Sequence, residues 1–151
     1  MLITKKFEKL DEANHWCAGG IVGGADATHE IAGLVGTTVT FTSPSGSCTF
    51  TEAASGNASP GKLRYADIKL QMETAMANLR VVTLGKKIAF KHATPGTVVS
   101  LAAVNEAGRV PLGLPNNEAI TGIVIAKFGG TDPSFQSLVT ELGAVYITYN
   151  Q

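Results

Sequence analysis

From Thr37 to Thr51 apolar and small polar side chains take turns, and no other feature narrows the possible folds as much. Val39 and Phe41 fall on one side of the run and Thr38, Thr40 and Thr42 on the other, the two-residue period of a half-buried strand. Ser43, Pro44, Ser45 and Gly46 interrupt it with turn-forming residues, after which Cys48 and Phe50 alternate with Ser47, Thr49 and Thr51. The pattern predicts two strands joined by a short Pro/Gly loop, that is, a hairpin.

The period changes after the polar loop at 53–61. Tyr65, Ile68, Met72, Ala75, Met76 and Leu79 recur at steps of three and four, which places them on one stripe of a helix. Asp67, Lys69, Gln71, Glu73 and Asn78 take the other face, and Asp67 near the start suits the helix dipole. Met72 and Met76 read as core filler. Arg80 to Leu84 and Lys87 to Lys91 then form a second expected hairpin about Gly85 and Lys86.

Thr97 to Val104 is rich in β-branched residues and reads as a strand. Val110, Leu112 and Leu114 beside Pro111 and Pro115 read as an extended edge. Ile120 to Phe128 is apolar through its centre and is expected mid-sheet, buried on both faces. Asp132 and Pro133 make a helix start, Phe135, Leu138, Val139 and Leu142 a stripe, and Gly143 a stop. Ala144 to Tyr149 alternates as a closing strand. The expected fold is α+β and β-rich: a compact antiparallel or mixed sheet or sandwich, one amphipathic helix at about 65–79, a short second helix at about 133–142, and a glycine-rich N-terminal arm.

That arm is residues 1–36, with a single β-rich domain expected over 37–151. Apart from a possible short helix around Glu8 to Trp16, it shows no regular period, and it holds Gly19, Gly20, Gly23, Gly24, Gly33 and Gly36. Glycine loses the most backbone freedom on ordering, so a fixed arm depends on contacts made by its apolar residues. Trp16, Ile21, Val22, Ile31, Leu34 and Val35 are the candidate interface residues. Two readings stand: contact with a neighbouring molecule, or a glycine-rich loop folded over its own domain.

Composition limits the partners. Charged residues are 16% of the chain against about 25% in an average domain, while 44% is hydrophobic, so a surface of Ala, Gly and Thr points to contact with other protein. Twelve basic residues balance twelve acidic ones, which removes the net field that draws a protein to nucleic acid or anionic lipid. The apolar stretch from Gly19 to Gly24 falls far short of the roughly 20 residues of a membrane span. The charges in Phe7 to Glu12 deny the N-terminus the apolar core of a signal peptide, so synthesis in the cytoplasm is expected. Cys17 and Cys48 have no second pair and read as free thiols.

Residues able to run chemistry do not assemble in the sequence. His15, His29 and His92 have no acidic or cysteine partner at ligand spacing. His15 and Cys17 flank Trp16 but point apart on a short helix. Gly19, Gly20, Gly23 and Gly24 imitate a phosphate loop without its strand, lysine or following helix, and the Ser43 to Gly46 stretch is turn chemistry. Asp67, Glu73 and Glu106 read as solvated carboxylates. A non-enzymatic protein is expected, with no catalytic, cofactor-binding or metal-ligating residue and no cofactor.

The order of elements from Thr38 to Leu114 resembles a pattern in tailed-phage virion proteins and in domains inserted into flagellins and tail sheaths. The matching pieces are Tyr65, Ala66, Asp67 and Ile68 at the helix start, Gly85 at the hairpin, the break at Ala93, Thr94 and Pro95, and the closing Leu112, Gly113 and Leu114. The likeness covers about half the chain and leaves out the arm and the last thirty or so residues. It implies a structural virion component, foremost a capsid cement or decoration protein located in the virion. The partners it implies are copies of the chain itself, as trimers, and the major capsid or another virion protein. A tail-tube or neck-ring subunit, built as hexameric rings, is the nearest alternative. A glycan-binding module using Trp16, Tyr65, Tyr146 or Tyr149 as stacking surfaces is a further one, of a different class.

Overall fold

The computed structural model describes residues 2–7, 20–84, 86–94, 97–101, 103–121, 135–141 and 144–150. These form a β-rich α+β structure with one α-helix. The strands are β1 (Leu2–Phe7), β2 (Ile21–Asp26), β3 (Ile31–Ala32), β4 (Thr38–Ser43), β5 (Gly46–Thr49), β6 (Lys62–Leu63), β7 (Leu79–Leu84), β8 (Lys87–His92), β9 (Ser100–Leu101), β10 (Ile120–Thr121), β11 (Phe135–Glu141) and β12 (Ala144–Asn150). The helix α1 (Tyr65–Ala75) lies between β6 and β7.

Four antiparallel sheets result, in the orders β1-β12-β11, β10-β9-β4-β5, β2-β8-β7 and β3-β6. Both predicted hairpins are present. Val39 pairs with Cys48 and Phe41 with Gly46 in the first, and Val82 pairs with Ala89 in the second. Their alternating apolar residues enter one shared core, where the Phe41 and Phe90 rings meet edge to face at 5.9 Å between centroids and 62° between planes. Ile68 and Met72 on α1, and Met76 just after it, are buried in the same core, as the three- and four-residue spacing requires. The helix ends at Ala75, short of the expected 79, because Leu79 begins β7. Asp67 is fixed at its start by accepting the Arg64 N–H at 2.9 Å.

Several expectations are corrected. Residues 20–36 are no irregular lead-in, because β2 pairs with β8, β3 pairs with β6, and Ile21, Val22, Ile31 and Leu34 are core residues of the chain itself. Leu2–Phe7 is a strand paired with β12, and the possible helix at Glu8 to Trp16 lies outside the described residues. The glycines of β2 have a packing reason. The β2–β8 register is broken between Val22 and Asp26, and there the backbone of Leu112 and Gly113 passes over β2, leaving no room for a Cβ at Gly23 or Gly113. Gly113 also holds φ +74, a conformation suited to glycine.

The segment expected to be extended at Val110 to Leu114 instead follows a 3-10 turn, Ala107–Arg109, with tight turns of its own closed by Gly113 N–H to Val110 C=O at 2.9 Å. The strand expected at Thr97 to Val104 is reduced to β9. Of the strand expected at Ile120 to Phe128, Ile120 and Thr121 form β10 at the outer side of their sheet, and 122–128 lie outside the described residues.

The second helix expected at about 133–142 is not formed, since Phe135–Glu141 is β11. Val139 and Thr140 favour a strand. The register from Ser137 against Thr148 to Glu141 against Ala144 satisfies backbone groups across the pair, which outweighs a short apolar stripe that fits either period.

Candidate functional site

Side chains of α1 replace a missing strand beside β7. Tyr65 and Lys69 donate to the Val81 carbonyl at 3.0 and 2.9 Å, and the Glu73 carboxylate accepts the Val81 N–H at 2.9 Å. Lys69 also pairs with Glu73 at 2.6 Å. Burial pushes the Glu73 pKa up, but the Lys69 ammonium and the Val81 N–H outweigh it and hold the carboxyl below its usual range. On another side of the helix, Gln71 makes a two-point, strand-like pair with Thr51: its Oε1 accepts the N–H at 2.9 Å and its Nε2 donates to the C=O at 3.0 Å.

The same use of polar groups recurs across the body. Glu106 accepts the Thr40 N–H at 2.8 Å and its hydroxyl at 2.9 Å, Glu52 accepts from Gly61 N at 3.1 Å, and Lys87 donates to the Gly24 carbonyl at 3.1 Å. The outer side of β2 is met by the Gly113 and Leu112 carbonyls, which accept from Gly24 N and Ala25 N at 3.0 and 3.3 Å. Arg109 is fully buried, and its Nη1 donates to the Pro115 and Glu118 carbonyls. Its Nε and Nη2 have no hydrogen-bond partner among the described residues. Burial lowers its pKa, and the Glu106 and Glu118 charges oppose that shift.

A cleft of about 530 Å³ opens where the β2–β3 connection meets the start of α1, and it holds the densest cluster of titratable groups lining a described cleft. His29 lies 3.6 Å from Asp26 and Arg64 lies 3.4 Å from Glu30, all four on the surface. Asp26 is held below its usual range by the Thr28 hydroxyl and N–H, and Glu30 by the Ser59 N–H. Both carboxylates thus bond backbone. Among the described residues no group of three or more His, Cys, Asp and Glu side chains is placed to share a metal ion. Cys48 is buried, with its thiol pushed up to about 11 by burial, which suppresses thiolate chemistry. No helix among them is long and apolar enough to cross a membrane.

Of the expected interface residues, Ile21, Ile31 and Leu34 face the protein's own core and Val22 is buried beside it, so they offer no surface to a neighbour. Val35 is half-buried against the same core, and Trp16 lies outside the described residues. Tyr65, a candidate stacking platform, is committed to Val81, and Tyr146 and Tyr149 occupy positions of opposite parity on β12. The backbone-binding roles of Lys69, Gln71, Glu73 and Glu106 escape a reading by local period, because their backbone partners lie elsewhere in the chain.

No protein-family model, curated protein or solved structure matches this chain.

Proposed function

We propose that this chain is a structural component of a virion, foremost a capsid cement or decoration protein that stabilises a protein lattice. One observation carries the reading. The charged and amide side chains of the body, among them Lys69, Gln71, Glu73, Glu106 and Arg109, are engaged with the chain's own backbone. A charge-poor surface and the order of elements from Thr38 to Leu114 agree with it. Its partners are copies of itself and the major capsid or another virion protein.

A tail-tube or neck-ring subunit is the second reading. It is favoured by the terminal sheet, whose two outer strands lie on opposite sides of one three-stranded unit, as chains joined in a ring require. Reconstruction of the native particle separates the two. Density on the shell at trimeric positions supports the cement role, hexameric rings in the tail or neck support the second reading, and a particle without the chain overturns both.

A further inference from the structure

Arg109 is completely buried, yet its guanidinium is only half used. Nη1 donates to the Pro115 and Glu118 carbonyls, while Nε and Nη2, which form one edge of the group, have no partner among the described residues. A buried donor without an acceptor forfeits the hydrogen bond it had in water, and the loss is larger when the donor carries charge. Asn116 stands in the chain between those two carbonyls, and its buried Oδ1 has no donor. Among the described residues these three are the only buried side-chain nitrogen and oxygen atoms in that condition.

Backbone bonds hold all three in one loop. The Asn105 N–H closes it on the Asn116 carbonyl at 2.6 Å, and within it the Leu114 N–H bonds the Arg109 carbonyl at 2.9 Å. Two donors and one acceptor left over define what can satisfy them. An anion accepts from Arg109 but gives nothing to Asn116, and the Glu106 and Glu118 charges oppose a further negative one. A cation meets Asn116 Oδ1 but is repelled by Arg109. A neutral molecule that both donates and accepts satisfies all three atoms, and full burial of Arg109 admits only a small one.

We infer that the 105–116 loop binds a single water molecule, which accepts from the Nε–H and Nη2–H of Arg109 and donates to the Oδ1 of Asn116. The two N–H groups lie side by side on the planar guanidinium and converge on one oxygen. Three bonds is the usual complement of a buried water, and such waters sit where polar groups of the protein lack partners. The site lies where the loop ties two sheets together, since Leu112 and Gly113 bind β2 and Glu106 binds β4.

Solution NMR of the full chain tests this through the Arg109 Nε–H resonance. A rotating-frame Overhauser spectrum is expected to show a dipolar cross peak from that proton to water, opposite in sign to one produced by chemical exchange. Asn116→Leu removes the acceptor and fills its space, and is expected to lose the peak while circular dichroism shows the fold intact. A crystal structure of the wild type fine enough to show ordered water should place one oxygen about 2.7–3.2 Å from Asn116 Oδ1 and from Nε or Nη2 of Arg109, and it decides the matter if the variant does not fold. An Nε–Nη2 edge bonded directly to a protein group, an anion seated on it, a wild type without the dipolar peak, or a peak that survives Asn116→Leu overturns the inference.

Discussion

The Glu73 carboxylate accepts the Val81 N–H at 2.9 Å, and Lys69 donates to the carbonyl of the same residue at the same distance. A salt-bridged pair one helical turn apart thus stands where a neighbouring strand would supply its N–H and C=O. Glu73→Ala removes the acceptor and leaves the Val81 N–H to water or to a passing strand. A loss of about 1–2 kcal/mol is expected, within the range for an abandoned half-buried hydrogen bond. Glu73→Gln keeps an acceptor and should lose less. Urea titration of both variants measures the difference, and equal losses would remove the edge-capping role.

Acid sensitivity follows from the same groups. Asp26, Glu30 and Glu73 all have folded-state pKa values below their ordinary 3.8, 4.5 and 4.5. A depressed carboxylate binds its proton less readily folded than unfolded, so its stabilisation is complete above the unfolded value and is lost as pH falls through the folded one. The urea midpoint should hold steady down to about pH 5 and then decline. Asp26 and Glu30 are only half-buried at the surface and salt weakens their share, so added salt should flatten the decline. A midpoint insensitive to pH between about 5 and 3 would contradict the assignment.

Local periodicity made much of the core legible. The Val39, Phe41, Cys48 and Phe50 alternation and the Ile68, Met72 and Met76 stripe are the buried sets of the first hairpin and α1. What escaped is non-local. The need for glycine at Gly23 and Gly113 cannot be read locally, because Gly23 is crowded by the Leu112 carbonyl and Gly113 by the backbone of Gly24 and Ala25, some ninety positions away in each case. Phe135, Leu138 and Val139 fit a helix and a strand equally, and pairing with Ala144–Asn150 decides between them. Lys69, Gln71, Glu73 and Glu106 occupy polar positions typical of solvated side chains, and only the fold shows which backbone each one meets.

The N-terminal segment divides at a different point from the one composition indicates. Deleting residues 1–7 removes β1, which among the described residues pairs only with β12. The core around Phe41 and Phe90 should keep its cooperative unfolding. Deleting residues 1–36 also removes Ile21, Ile31 and Leu34 from that core, and the buried Val22 with them. At about 2–5 kcal/mol for each large buried side chain, the loss reaches the whole stability of a typical domain. Only the shorter deletion should yield a folded protein, as judged by thermal unfolding followed by circular dichroism. A folded 37–151 fragment would sink this division.

Cys48 sits in the first hairpin with its thiol raised by burial. At pH 8 iodoacetamide should modify it only when the core opens. Peptide mapping should find Cys48 unlabelled in native protein and labelled in denaturing urea. Fast native labelling would mean that β5 separates from β4 far more often than its ladder allows.

Arg109 is the buried group whose replacement tests the core most sharply. Its guanidinium joins the Pro115 and Glu118 carbonyls and so fixes the chain between the 3-10 turn and β10. The Glu106 and Glu118 charges both favour its charged form, and Glu106 in turn holds Thr40 on β4. Arg109→Ala leaves two carbonyls without a donor and a void where a large buried side chain stood, a combination expected to cost about 3–5 kcal/mol. Arg109→Lys keeps the charge but not the fork, and should lose less. Arg109→Ala/Glu106→Gln removes both charges together, so its loss should be smaller than the sum of the two single losses if the pair is coupled. Strictly additive losses in urea titration would show that Arg109 acts through its carbonyl contacts alone.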